Sequence, residues 1–170
     1  MQNVFENNPK LEGVIYVTDW GYTDIRNEVL TKSMVERDGI KTIEQLRAFN
    51  LAAELSDFEK ISDAIVKAHQ FKMGPKWMIV LINKCDLFYH SIDDAQKYYN
   101  TSFESAFTDK LKALQSKVGA MNLAYESLPI CSWQTDFEWN NQRIATNLGG
   151  DAIKQSLFKN LIFNISQLSK

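Results

Sequence analysis

Two stretches of the chain are apolar almost without a break. Gly13–Thr18 reads Gly-Val-Ile-Tyr-Val-Thr, β-branched and aromatic, and Trp77–Ile82 reads Trp-Met-Ile-Val-Leu-Ile after a Gly74-Pro75 breaker. Neither alternates apolar with polar, which predicts strands covered on both faces, as in a parallel sheet. A third, shorter segment, 126–132, carries Pro129 and fits an edge strand, where a missing N–H costs no ladder bond.

Between these segments the apolar period becomes helical. Thr42 and Gln45 have capping-box spacing, and Ile43, Leu46, Ala53, Phe58, Ile61, Ile65 and Ala68 predict one or two long amphipathic helices up to about residue 71. A weaker pattern predicts a helix over 24–36. Ser91 is placed to cap a short helix through 99, and Thr101 or Ser102 to start another through about 118. After Gly149-Gly150, Asp151 is placed as a cap for a stripe of Ile153, Leu157, Leu161, Ile165 and Leu168. The order β, α, α, β, α, α, β, α predicts an α/β fold with a short parallel sheet of about three strands and flanking helices. Ligands of such sheets bind beyond the carboxyl ends of the strands, so chemistry is expected just after Val17, Ile82 and Cys131. No repeat, low-complexity segment or linker divides residues 1–170, which read as one domain.

Composition narrows the classes. With 45% hydrophobic and 12% aromatic residues in 170, the chain can bury a core and does not read as disordered. Nineteen basic against 21 acidic residues give a net charge of −2, which argues against a nucleic-acid binder working by charge. Cys85 and Cys131 form no CxxC pair, so structural zinc is not expected, and two isolated thiols fit a reducing compartment. No stretch approaches the ~20 apolar residues of a membrane span, and 1–9 has neither the basic nor the apolar region of a secretory signal. The expected location is cytoplasmic.

The candidate chemistry begins with Asn83-Lys84-Cys85-Asp86, directly after the second apolar run. It resembles the guanine-specificity motif of P-loop GTPases. The resemblance implies that Asp86 offers two acceptor oxygens to the ring N–H and exocyclic amino group of guanine, a donor pair adenine lacks on that edge. It also implies that Asn83 ties neighbouring loops together and that the stem of Lys84 lies over the base. The plainer reading is a strand-to-helix turn in which Asn83 and Asp86 cap local backbone. Cys131-Ser132, one strand-helix unit downstream, is similar to the family's Ser-Ala-Lys loop; Ser132 matches, while Trp133 and Gln134 replace the usual Ala and Lys. The segments around Gly13–Thr18 and Asn83 to Tyr89, with Lys97-Tyr98-Tyr99, resemble an uncharacterised bacterial branch of GTPase-domain proteins.

The sequence contains no GxxxxGK[ST] phosphate loop and no DxxG before Gly13. The resemblance therefore implies the carboxyl half of a GTPase domain, holding base recognition and lacking catalysis. Expected base contacts are Asn83, Lys84, Asp86, Cys131 and Ser132, with GTP or GDP as ligand and Mg2+ only if the other half is supplied. No catalytic residue and no metal ligand are assigned. Asp19 reads as a turn residue with Gly21, not a magnesium ligand; His69 and His90 read as surface or helix-end residues; Ser132 lacks a nucleophile elbow. Trp133, Phe137 and Trp139 fit either a lid or partner surface, or aromatics covering the base of the last helix. The strand at Val14 to Thr18 is expected to expose an edge that pairs with another chain or with itself. The alternative function is a nucleotide-free scaffold that binds other proteins.

Overall fold

Strands β1 (Gly13–Thr18), β2 (Trp77–Ile82) and β3 (Ala124–Pro129) form a parallel sheet in the order β1-β2-β3 in the computed structural model, which describes residues 11–170. Gly13 lies opposite Trp77 and Thr18 opposite Ile82, while Ile82 lies opposite Pro129, so all three strands end at one level. All six residues of β2 are buried, which is why its sequence is an unbroken apolar run.

Five helices surround the sheet: α1 (Glu28–Asp38), α2 (Ile43–Gln70), α3 (Ile92–Tyr99), α4 (Ala106–Val118) and α5 (Asp151–Leu168). On one face Tyr16, Met78, Val80 and Ile82 share a core with Phe58 and Ile65 of α2 and with Phe107, Leu111 and Leu114 of α4. On the other face Trp77, Ile79, Leu81, Leu128 and Ile130 lie under Leu161, Ile165 and Leu168 of α5. Full burial of such side chains contributes about 1.5–3 kcal/mol each. The second face is covered over β2 and β3, and Ile15 and Val17 of β1 remain 43% and 56% exposed.

Local signals explain most boundaries. Thr42 and Gln45 form the expected capping box, and α2 is one helix of 28 residues. Helix α1 starts later than its pattern suggests, because the Asn27 side chain accepts from the Leu30 N–H at 3.2 Å and caps it there. Ser105, rather than Thr101 or Ser102, caps α4, in a box closed by Thr108. Ser91 makes no side-chain cap bond, and Asp151 lies in the first turn of α5 with Gly150 at its cap position. Strand β3 begins at Ala124 and ends at Pro129, on an edge as the proline requires; its exposed Ala124 and Glu126 leave the apolar signal in its last residues.

One element departs from the expected order. Strands β4 (Phe137–Trp139) and β5 (Gln142–Ile144) form a hairpin turned at Asn140 and Asn141, whose φ values of 48° and 61° are the paired positive values of a type I′ turn. Trp139 is buried with Ile25, Ile40 and Leu46, so this aromatic segment covers the entry to α1 and α2 and not the base of the last helix. Trp133 stays exposed.

Candidate functional site

The site grows from the ends of the three parallel strands. Beyond Ile82 the chain turns sharply: the Asn83 N–H donates to the Thr18 carbonyl at 2.7 Å, and Lys84 adopts a left-handed φ of 57°. The turn is then stitched to the β3 side, where the Cys85 N–H donates to the Ile130 carbonyl at 3.3 Å and the Ile130 N–H to the Ile82 carbonyl at 2.9 Å. These backbone bonds bring Asn83, Lys84 and Asp86 together with Cys131 and Ser132.

Each polar side chain of the turn has a partner within the chain. The Asn83 amide donates to Asp19 Oδ1 at 3.1 Å and accepts from the Ser132 hydroxyl at 3.4 Å, joining the loops after all three strands. Lys84 Nζ donates to the Tyr22 carbonyl at 3.0 Å and pairs with Asp19 Oδ2 at 2.9 Å. Asp19 is a turn residue, its carbonyl accepting from the Tyr22 N–H at 2.9 Å, and its carboxylate also holds both Asn83 and Lys84.

Asp86 is the most enclosed of the set, its side chain fully buried. Its Oδ2 accepts from Arg26 Nη2 at 2.5 Å and its Oδ1 from the Cys131 thiol at 3.4 Å. Arg26 enters from the segment before α1. Its Nη1 donates to the Trp133 carbonyl at 3.4 Å, its guanidinium lies 5.5 Å from the Phe137 ring centre, and its buried Nε–H has no acceptor among the described residues. The Cys85 and Cys131 thiols are both free and buried beside this pair. Hydrogen bonding to Cys131, burial and the neighbouring Asp86 charge push the Cys85 thiol well above its usual range, so it stays protonated. A shallow depression of about 550 Å³ opens next to Arg26, lined also by Asp24, Asn27, Glu28 and Lys84.

A second group that sequence reasoning missed positions the first. Glu54 of α2 accepts from the Thr18 hydroxyl at 2.5 Å and the Tyr99 hydroxyl at 2.8 Å through Oε2. Through Oε1 it accepts from the Gly21 N–H at 2.9 Å, the Asp19 N–H at 3.3 Å and the Thr23 hydroxyl at 3.2 Å. Burial and the Glu54 charge together raise the Tyr99 phenol far above its ordinary value. Gly21 has no substitute here: its φ is +81°, and a Cβ would lie 2.7 Å from the Arg47 carbonyl oxygen. The Asp19 to Thr23 turn that presents Asp19 and the Tyr22 carbonyl to Lys84 is thus held by the Glu54 carboxylate together with Asn50, whose Nδ2 donates to the Gly21 and Thr23 carbonyls at 3.0 and 2.9 Å.

As it stands, the Asp86 carboxylate accepts from the planar Arg26 guanidinium, and Lys84 lines the depression beside it. Among the described residues no group of three or more His, Cys, Asp or Glu side chains is arranged to hold a metal ion, and no helix is long and apolar enough to cross a membrane. Arg26 and Glu54 carried no motif; the one local hint was Asn27 as a helix cap directly after Arg26. No protein-family profile matches the chain, nor does any curated protein or any solved structure.

Proposed function

We propose that this chain recognises guanine nucleotides, GTP or GDP, as part of a GTPase-family protein, its sheet corresponding to the carboxyl half of the P-loop fold and its setting being the cytoplasm. The observation that carries this reading is the state of Asp86: a carboxylate at the carboxyl end of the central strand, buried, with a guanidinium as its donor. Guanine presents the same kind of partner, adjacent N–H groups in one plane, and adenine does not. Asn83 and Ser132 support the turn as the motif requires, and Lys84 lines the depression beside it. The phosphates find no Lys-bearing glycine loop in this sequence, so Mg2+ and hydrolysis belong to whatever supplies that half. A further chain is proposed to pair with the outer edge of β1, which has no strand partner among the described residues.

The test is titration of GDP, XDP and ADP against the wild type and Asp86→Asn. Exchanging a carboxylate oxygen for an amide leaves a buried guanine donor unpaired, costing about 1–3 kcal/mol, or about one to two orders of magnitude in affinity. Preference should move from GDP toward XDP. Equal responses to all three, or none, in both the wild type and a variant lacking the Arg26 guanidinium would overturn the reading.

The same ion pair supports a second reading, a scaffold that binds no nucleotide, because the buried carboxylate is already neutralised within the chain. A buried pair of this kind is costly to break from one side, about 3–5 kcal/mol. Under this reading Asp86→Asn destabilises the fold and no nucleotide changes its melting temperature.

A further inference from the structure

We propose that Arg26 is an internal occupant of the base site, and that a guanine nucleotide binds by displacing it and releasing the segment that carries it. The inference rests on the reading of Asp86 as the base acceptor and adds how that acceptor is controlled.

Three features of the pair point to a displaceable contact. The first is chemical equivalence: the Arg26 Nη2 donates to Asp86 Oδ2 where a guanine N–H would have to donate, so the two compete for that oxygen. The second is incomplete satisfaction. Among the described residues the buried Arg26 Nε–H finds no acceptor, and Nη1 reaches the Trp133 carbonyl only at 3.4 Å, so an expelled side chain regains hydrogen bonds to water that the closed state denies it. The third is placement. Arg26 and the start of α1 form part of the wall of the depression that Lys84 also lines, so the side chain leaves into open space.

What would move is also delimited. Arg26 sits within a tight turn, in which the Asn27 N–H donates to the Asp24 carbonyl at 2.8 Å with Asp24 at φ 56°, and this turn leads directly into α1. The Thr31 hydroxyl reaches back to the Asp24 carbonyl at 3.4 Å, so the turn and the helix start form one short unit. Below it, Ile25 is anchored in the cluster with Leu46 and Trp139. Displacement therefore frees the Arg26 side chain and loosens the exposed start of α1, residues 27–30, while Ile25 and the turn held by Glu54 and Asn50 stay in place. The closed pair keeps the buried Asp86 charge compensated when no nucleotide is present, at the expense of affinity.

The test compares GDP and ADP binding to the wild type and to Arg26→Gln, which keeps a side-chain amide donor near Asp86 and removes the charge. Arg26→Gln should bind GDP about ten- to a hundred-fold more tightly than the wild type, while ADP binding does not rise. Amide hydrogen exchange of the wild type provides a second readout that needs no variant: GDP should speed exchange in 27–30 and slow it in the turn from Asn83 to Asp86. Equal GDP affinity in the two proteins, with preference over ADP intact, would overturn the displacement and leave base recognition standing. Slowed or unchanged exchange in 27–30 under saturating GDP would do the same. Absence of any preference for GDP over ADP in both proteins would remove the underlying reading as well.

Discussion

Replacing Glu54 by glutamine should loosen the site without touching the residues that face a ligand. The Glu54 carboxylate accepts five hydrogen bonds, three from hydroxyls and two from the backbone N–H groups of Asp19 and Gly21. A hydrogen bond to a charged group is worth about 1.5–3 kcal/mol against about 0.5–1.5 for a neutral one, so neutralising the acceptor weakens each contact. The substitution is softened by the hydroxyls. With the glutamine oxygen turned toward the two fixed N–H groups, its amide faces Thr18 and Tyr99, which hydrogen-bond each other at 2.8 Å and can rotate to accept. The net cost of Glu54→Gln should be about 2 kcal/mol, and that of Glu54→Ala, which strands both backbone donors, about 3–4 kcal/mol. Water entering from the adjoining groove of about 410 Å³, lined by Glu54 and Asp57, keeps the second figure from rising further.

Urea unfolding measures the first quantity; for a domain of this size, 2 kcal/mol corresponds to a drop in melting temperature of about 4–8 °C. Two further readouts separate this mechanism from a general loss of packing. Because the Glu54 charge helps raise the Tyr99 phenol, Tyr99 should ionise at lower pH in Glu54→Gln, visible in tyrosinate absorbance. Exchange of the Asp19 and Gly21 amides should also accelerate ahead of global unfolding. A stability change below about 0.5 kcal/mol with unchanged Asp19 and Gly21 exchange would refute the assignment of Glu54 as the anchor of this turn.

Two other outcomes are expected. Burial raises the Tyr99 and Tyr125 phenols above their unfolded value near 10, so their contribution is fully present below about pH 10 and is lost as pH rises through the folded values. Stability measured by urea should fall above about pH 10, and Tyr125→Phe, which also gives up the 2.7 Å bond to the Tyr99 carbonyl, should fall less steeply; parallel curves for the two proteins would exclude this source. At the sheet edge, the exposed Ile15 and Val17 belong to β1, whose outer edge has no strand partner among the described residues, so the protein should self-associate in sedimentation experiments and Val17→Lys should reduce association without unfolding. A wild type that stays monomeric as its concentration is raised would show that this edge is not a pairing surface.

The parts of this fold that could be read from the chain are those in which local sequence and final environment agree. Strand β2 is apolar at every position because both faces are covered, and α2 announces its start through Thr42 and Gln45. The β4–β5 hairpin escaped because strands of three residues are shorter than a usable period, although Asn140-Asn141 between Phe-Glu-Trp and Gln-Arg-Ile was a turn signal. The aromatic segment stayed ambiguous, between a lid or partner surface and a cover for the last helix, for a related reason: burial says that Trp139 needs a cover, and only the tertiary arrangement shows that it lies at the entry to α1 and α2.

The candidate site divides along the same line. Asn83, Lys84 and Asp86 lie within four residues of each other, and their spacing alone marks them, whereas Arg26 is 60 positions from the carboxylate it pairs with. Nothing in the Arg26 neighbourhood of Asp24, Ile25 and Asn27 distinguishes it from a solvated arginine before a helix cap. What singles it out is the opposite charge at the end of β2, and a buried carboxylate needs a partner wherever it can be found. The motif therefore leaves Asp86 requiring N–H donors, and the fold supplies them from the segment before α1, the contact that the proposed nucleotide would have to displace. That competition gives Arg26→Gln its diagnostic value: if Asp86 is only a structural anchor, removing the guanidinium costs stability and confers no selectivity among nucleotides, whereas a base acceptor regains its donors from guanine alone.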